Sequence, residues 1–184
     1  MSGKRPTDRE AFDALLRTRL AAFTRKAFAT VDPGAVYKHN WHIDLIAEYL
    51  EACTRREIKR LIINIPPRYM KSISVTVAWP AWLIGKSPSE RVLAASYAQV
   101  LALKHSVDCR LVMQSDWYRR AFPGVQITGD QNEKQKFVTT ARGHRFATSV
   151  GASVIGEGGN FLIVDDPLNA AQATSETERE RANT

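Results

Sequence analysis

Three short apolar runs constrain the fold of this chain more than any other feature. They are Leu61–Ile65, Arg91–Ser96 and Phe161–Val164, and each has the length and composition of a buried strand. Longer segments with the helical spacing of apolar residues lie between them. Strands that alternate with helices predict an α/β fold, with a largely parallel sheet flanked by helices. Ligands of such sheets bind beyond the carboxyl ends of the strands.

Helical patterns fill most of the remaining sequence. Thr7 and Glu10 have the spacing of a capping box, and an apolar stripe follows as far as Phe28. Further helices are expected at about 41–53, 71–84, 98–113 and 116–122, with strand-like pieces at 136–139 and 145–148. A chain of 184 residues has enough sequence for one substantial core. We therefore expect an N-terminal helical segment, 1–35, followed by one α/β domain, 36–184.

The charge balance favours a polyanionic partner. The chain carries a formal net charge of +7 and has an isoelectric point near 9.6, and such a balance promotes binding to phosphate backbones. Cys53 and Cys109 lie far apart and are expected to be free thiols of a reducing compartment. The start of the chain lacks the apolar core of a signal peptide, and the apolar stretch 75–84 is too short to span a bilayer. These features predict a soluble, intracellular protein with no membrane partner.

The segment after the first apolar run has the parts of a phosphate-binding loop. Leu61–Ile65 is the expected strand, Lys71 is placed to meet the β- and γ-phosphates of a nucleotide, and Ser72 is placed to meet Mg²⁺. A helical pattern follows directly. The usual glycines are missing, because Ile65 and Met70 stand at their positions. An ordinary solvated joint between a strand and a helix remains the alternative interpretation.

Other residues of this loop change its donor chemistry. Pro66 and Pro67 have no N–H groups, so the loop offers fewer backbone donors than a glycine-rich one. Arg68 can replace some of them with the fork-shaped donors of a guanidinium. It could also stabilise charge on a γ-phosphate. Its alternative role is that of a plain surface arginine.

Two carboxylates follow the third apolar run. A buried strand that ends in an acidic residue is how ATPases hold Mg²⁺, and Asp165 is the residue placed for that task. Asp166 would orient or deprotonate the attacking water, although it is one methylene shorter than the glutamate common at that position. The alternative is a helix cap, since an aspartate before Pro167 also starts turns and helices.

Together, these motifs resemble a known family, the large terminase subunits of tailed phages and prophages. The segment 63–72 resembles their altered Walker A loop, and the segment 151–167 resembles their Walker B region. Further similarity runs through 93–97, 115–118 and 122–123. The resemblance covers about residue 40 to the end of the chain. It implies a P-loop NTPase-like domain that hydrolyses ATP with Mg²⁺ to drive double-stranded DNA into a procapsid.

The resemblance also implies roles for individual residues and partners. Asp166, Arg68 and Lys71 take the catalytic positions, while Ser72 and Asp165 take the positions that support the metal. ATP would be contacted by the loop residues Pro67, Arg68, Tyr69, Met70, Lys71 and Ser72. Its base would be contacted by Trp41 and by His42, which stands where the family has a glutamine and could still make one base contact. The partners implied are the portal protein, the small terminase subunit and other copies in a ring, within the cytoplasm of the host cell. Trp41 could instead be a core aromatic.

Two departures from the family pattern open other interpretations. Met70 replaces the glycine before the lysine and predicts crowding or a strained backbone. The sequence also stops at Thr184, so we expect a partial ATPase domain without the family's nuclease domain and without nuclease activity. One alternative is an inactive prophage remnant that binds nucleotide or DNA without turnover. Another is a helicase-like motor of superfamily 2.

Overall fold

A computed structural model describes residues 6–152, 154 and 156–183. A sheet lies in the middle of the fold and is flanked by helices. The helices are α1 (Asp8–Thr18), α2 (Leu20–Val31), α3 (Trp41–Thr54), α4 (Trp79–Lys86), α5 (Gln99–Gln114), α6 (Asp116–Ala121), α7 (Ala170–Ala173) and α8 (Glu176–Asn183). A π-helical segment, Ile73–Ala78, leads directly into α4. The strands are β1 (Arg91–Ser96), β2 (Ile127–Asn132), β3 (Lys136–Thr139), β4 (His144–Ser149) and β5 (Phe161–Asp165).

The sheet is mixed, and the prediction of a largely parallel sheet is wrong. Among the described residues it has five strands in the order β2-β3-β4-β1-β5. β1 pairs in parallel with β4 and with β5, whereas β3 pairs antiparallel with β2 and with β4. The antiparallel half comes from the polar region 125–150, whose strand β2 has no apolar pattern that would reveal it. The α/β class with flanking helices is confirmed.

The segment Leu61–Ile65 is not a strand, and this corrects the prediction of a buried strand there. It makes no ladder with another described strand. Alternate side chains, those of Leu61, Ile63 and Ile65, rest on the core, while Ile62 is 85 % exposed. The apolar composition thus reports packing of one side of the segment only. The apolar composition of the segment therefore showed neither that one side is exposed nor that its backbone lacks a partner strand.

The N-terminal helical pattern forms two helices. The capping box at Thr7 and Glu10 is present, and the helix it opens ends at Arg19, whose extended backbone separates α1 from α2. Both helices pack into the same core as the sheet. Phe23 of α2 is fully buried against the rings of Trp117 and Tyr118 in α6 and of Phe122, which follows that helix. In α1, the carbonyl of Leu16 accepts a hydrogen bond from Trp82 Nε1 at 3.0 Å.

Pro80 explains the irregular helix that follows the loop. A proline has no N–H, so the carbonyl of Thr76, four residues earlier, lacks its usual α-helical donor. Arg145 of β4 instead donates from Nη2 to that carbonyl at 3.3 Å. The preceding turns are π-helical, with Trp79 N–H donating to Ser74 five residues back. The helix therefore passes over the sheet with a local change of winding next to the loop.

The predictions of the remaining elements are confirmed within one or two residues, namely α3, α5, α6, β1, β3, β4 and β5. Within the described ranges, no helix combines the length and the apolar character that a membrane crossing requires.

Candidate nucleotide site

The loop 66–71 turns sharply because two of its side-chain-bearing residues adopt left-handed backbone angles. Pro66 and Pro67 begin the loop, Arg68 has a φ of 69° and Met70 a φ of 63°. Such angles cost an L-residue about 1–2 kcal/mol, and glycine adopts them freely. The strained backbone expected at Met70 is therefore present. The loop thus has a backbone conformation that glycine adopts freely, and its non-glycine residues Arg68 and Met70 adopt it at a cost in conformational energy.

Lys71 meets both carboxylates of the acidic pair. Its Nζ lies 3.3 Å from Asp165 Oδ1 and forms a short ion pair with Asp166 Oδ1. Burial by itself would lower the pKa of Lys71, but the hydrogen bond to Asp166 and the charge of Asp165 outweigh it, so that the net pKa is raised. The amine is therefore a fully charged ammonium at neutral pH. The two distant motifs of the sequence form one site.

Asp165 is the buried member of the acidic pair. Its side chain is 3 % exposed, and it ends β5 beside Ser96, its register partner on β1. Thr76 Oγ1 donates to Asp165 Oδ2 at 3.1 Å, and Nδ1 of His105 lies 3.8 Å from the same oxygen. Burial lowers the pKa of His105, while Asp165 opposes that shift and Arg145 adds to it. Asp165 is thus held between α5, the π-helical segment and Lys71.

Asp166 is the exposed member of the pair. Its side chain is 50 % exposed, and its φ of 49° places it in the left-handed region that aspartate tolerates better than most residues. The N–H of Tyr97 donates to its backbone carbonyl at 2.9 Å, which fixes the turn after β5. Its carboxylate is accessible to water, as a group that exchanges protons with water must be.

A cleft of about 320 Å³ opens between the loop and Asp166. The predicted contact residues Pro67, Arg68, Met70, Lys71 and Ser72 all line it. Ser72 is half-buried at the start of the helix and lines this cleft. A space of this size, with an ammonium and a guanidinium on its walls, fits the phosphate groups of a nucleotide.

A second cleft of about 360 Å³ adjoins the first and shares Arg68 and Met70 with it. His42 and Tyr69 line this second cleft, where His42 Nε2 lies 3.2 Å from the carbonyl of Tyr69 and the two rings are 5.6 Å apart. Trp41 is 71 % exposed, so it is not a core aromatic. It stands next to His42 but outside the lining of the cleft. The aromatic pair of this cleft is His42 with Tyr69.

Three residues of the site were missed by sequence reasoning. Thr76 follows Ser72 by four positions, one helical turn, which is the only signal that could have suggested it. His105 and Arg145 lie on α5 and β4 and reach the site through the packing of those elements. Nothing in their sequence neighbourhoods distinguishes them from ordinary polar residues.

In the part of the chain that the structure describes, no group of three or more His, Cys, Asp or Glu side chains could hold a metal. Mg²⁺ that is bound together with a nucleotide needs only one or two protein ligands, because phosphate oxygens and water complete its shell. Asp165 and Ser72 are the residues that could support such an ion.

Comparison with known proteins does not assign this chain to a family. No protein-family model matches the chain, and no curated protein matches it. The function is therefore argued from the site itself.

Proposed function

We propose that this chain is the ATPase portion of a phage DNA-packaging motor, with a P-loop NTPase-like site that binds Mg-ATP. One observation carries the proposal: Lys71, which follows the loop, meets Asp165 and Asp166, which follow β5. These residues are 94 and 95 positions later in the chain, and phosphoryl-transfer enzymes need this combination of an ammonium, a metal-supporting carboxylate and a water-orienting carboxylate.

In this proposal the loop residues bind and orient the triphosphate. Lys71 exchanges its carboxylate partners for the β- and γ-phosphates, and Arg68, which also lines the cleft, contacts the γ-phosphate. His42 and Tyr69 contact the base in the adjoining cleft. Ser72 and Asp165 would hold Mg²⁺, which neutralises charge on the phosphate oxygens when it is bound.

Asp166 supplies the base of the hydrolytic step. Its carboxylate takes a proton from water as the water oxygen bonds to the γ-phosphorus and the bond to the ADP oxygen breaks. The products are ADP and inorganic phosphate. Release of Asp166 from Lys71 is a condition of this step, because a carboxylate paired with an ammonium is a weaker base.

The partners of the proposal follow from charge and from the resemblance. A net charge of +7 supports contact with the phosphate backbone of double-stranded DNA. A portal protein, a small terminase subunit and other copies in a ring are the partners that the terminase resemblance adds.

A second candidate function is nucleotide binding without turnover. It is favoured by the left-handed backbone of Met70, because that strain must be kept in every state in which the loop closes around phosphate. The shorter reach of Asp166, compared with a glutamate, favours it too.

Phosphate release from Mg-ATP tests the proposal and separates the two candidates. Wild type is compared with Lys71→Ala and with Lys134→Ala, which removes an exposed lysine of the β2–β3 turn and so matches the charge change away from the site. The ATPase proposal predicts turnover in wild type and in Lys134→Ala, and its loss in Lys71→Ala. Equal rates in all three would contradict it, and binding without any turnover would favour the second candidate.

A further inference from the structure

Thr76 makes a hydrogen bond that is unusual for a threonine inside a helix. Such a hydroxyl commonly bonds the carbonyl four residues back in its own helix, as Thr54 does to Leu50 and Thr30 does to Lys26 in this chain. Thr76 instead donates across the fold to Asp165 Oδ2 at 3.1 Å. The bond is buried, with Thr76 only 1 % exposed.

The two oxygens of Asp165 have different partners. Oδ2 accepts from Thr76, and Oδ1 lies 3.3 Å from Nζ of Lys71, a residue that lines the cleft. His105 closes the buried side, with its Nδ1 at 3.8 Å from Oδ2 and without a hydrogen bond of its own among the described residues. A carboxylate held in this way cannot rotate about its Cβ–Cγ bond without losing a buried, charge-assisted hydrogen bond.

The backbone of Thr76 is itself anchored. Its carbonyl accepts from Arg145 Nη2, and the side chain of Arg145 is fully buried on β4. The π-helical segment therefore presents the Thr76 hydroxyl from a fixed position relative to the sheet. The position of Asp165 on β5 is fixed by the same sheet, through its pairing with β1.

We infer that Thr76 is a positioning residue for Asp165, whose hydroxyl fixes Oδ2 so that Oδ1 is presented to the phosphate and metal side of the site. The inference rests on the proposed function for its meaning in catalysis, but not for its geometry. It adds to the loop and the acidic pair a residue one helical turn beyond Ser72. A hydrogen bond of this kind fixes the orientation of a carboxylate, here Oδ1 of Asp165, so that it would not have to reorient when a metal ion binds.

Two variants separate the hydroxyl from the shape of the side chain. Thr76→Val keeps the volume and removes the hydroxyl, and Thr76→Ser keeps the hydroxyl and removes the methyl group. Thr76→Ala, which adds no apolar group beside the carboxylate, serves as a second hydroxyl-free variant if Thr76→Val does not fold. Folding of each variant is checked by circular dichroism.

The first readout needs no nucleotide. Acylation of the Lys71 amine by an N-hydroxysuccinimide ester is followed by mass spectrometry at one fixed pH, with Lys134 as the internal reference. In Thr76→Val, Asp165 Oδ1 is no longer held towards Lys71 Nζ, so one charge-assisted contact of the amine is weakened. We therefore expect the acylation rate of Lys71 to rise about threefold or more in this variant. Thr76→Ser is expected to react as wild type does. Equal rates in all proteins, or equal acceleration by Val and Ser, would overturn the inference.

The second readout joins the residue to the proposed function. ADP affinity is measured with Mg²⁺ and with EDTA, and the ratio reports the metal-dependent part of binding. Thr76→Val is expected to lower that ratio about tenfold while the metal-free affinity stays the same, and Thr76→Ser is expected to retain it. A ratio that is unchanged in Thr76→Val would overturn the inference. Absence of ADP binding in wild type would count against the proposed function, and the acylation rates would then decide the positioning role alone.

Discussion

Lys71 is an ammonium group between two carboxylates, and a nucleotide has to compete with both of them. In the proposed function, phosphate oxygens displace the carboxylates because they carry more charge than one carboxylate and because the Asp166 side chain is half exposed to water. Asp165, being buried, depends more on a replacement cation once Lys71 turns away. Mg²⁺ bound together with the nucleotide would provide that cation. Lys71 and the metal thus exchange positions at Asp165 in the proposed cycle.

Met70 offers a stability test of the strained loop. Met70→Gly and Met70→Ala both remove the side chain, but only glycine adopts a φ of 63° freely. At ordinary helical positions alanine is the more stable of the two, and here we expect glycine to be more stable by about 1 kcal/mol. Urea unfolding of the two variants measures the difference. An alanine variant at least as stable as the glycine variant would show that the backbone at this position is unstrained.

Cys109 gives a pH dependence whose sign is fixed by burial. Complete burial raises the pKa of its thiol from 9.0 to about 11. Between these values the folded chain keeps a proton that the unfolded chain has lost, so the free energy of unfolding falls as pH rises through that window. We expect wild type to lose roughly 1–3 kcal/mol relative to Cys109→Ala across it. Urea unfolding of both proteins at several pH values measures this difference. If the free energies of unfolding of the two proteins changed equally with pH, the raised pKa of the Cys109 thiol would be contradicted.

Much of the site at the residue scale could be predicted from sequence, because its reacting groups follow motifs in a fixed order. Lys71, Ser72, Asp165 and Asp166 come together as predicted. Thr76 and the residues behind it could not be predicted, since their role depends on which face of a helix meets which strand. The face of a helix that meets a given strand is determined by tertiary packing, and no local pattern in a single sequence shows it.

At the scale of elements, apolar composition did not distinguish strands from a segment without a ladder. Most residues of β1 are buried, whereas β5 buries alternate residues and leaves Leu162 69 % and Val164 50 % exposed. Leu61–Ile65 likewise has only one side on the core, yet it makes no ladder with a described strand. β2 forms from the polar sequence 127–132 because β3 offers it an edge. Its cross-strand partner, rather than its own residues, determines its structure.

The π-helical segment allows a test of the contact between Pro80 and Arg145. Arg145→Met removes the group that donates a hydrogen bond to the carbonyl of Thr76. Pro80→Ala restores a backbone N–H that can donate to the same carbonyl within the helix. We expect Arg145→Met to cost about 1 kcal/mol less in the Pro80→Ala background than in wild type. Urea unfolding of the four proteins of this double-mutant cycle measures the coupling. Equal costs in both backgrounds would show that Arg145 does not replace the missing helical donor.

At the scale of the whole molecule, the N-terminal helices share the core of the sheet. Phe23 of α2 packs edge-on against Trp117, Tyr118 and Phe122, with ring centroids 5.3 to 6.1 Å apart. Those residues follow α5, which packs on β1 and β4. The helices α1 and α2, which the sequence distinguishes only by their helical pattern, therefore contribute to the stability of the part that carries the site.

Phe23→Ala tests this shared core. Removing a fully buried phenylalanine should cost about 3–5 kcal/mol. Because one core connects helices and sheet, circular dichroism and tryptophan fluorescence should report a single unfolding transition with the same shifted midpoint. Phe12→Ala, on the half-exposed side of α1, is the matched control and should cost much less. Separate transitions for the two probes would indicate that the N-terminal helices unfold independently.

Equilibrium binding of ATP tests the central claim, a nucleotide site built on Lys71. Calorimetric titration with Mg²⁺ present is carried out on wild type, Lys71→Ala and the control Lys134→Ala. The account predicts saturable binding of one nucleotide per chain in wild type and in the control, and binding about 10–100-fold weaker in Lys71→Ala, from the loss of charge-assisted contacts to phosphate. Equal affinity in wild type and Lys71→Ala, or no binding by wild type, would contradict it.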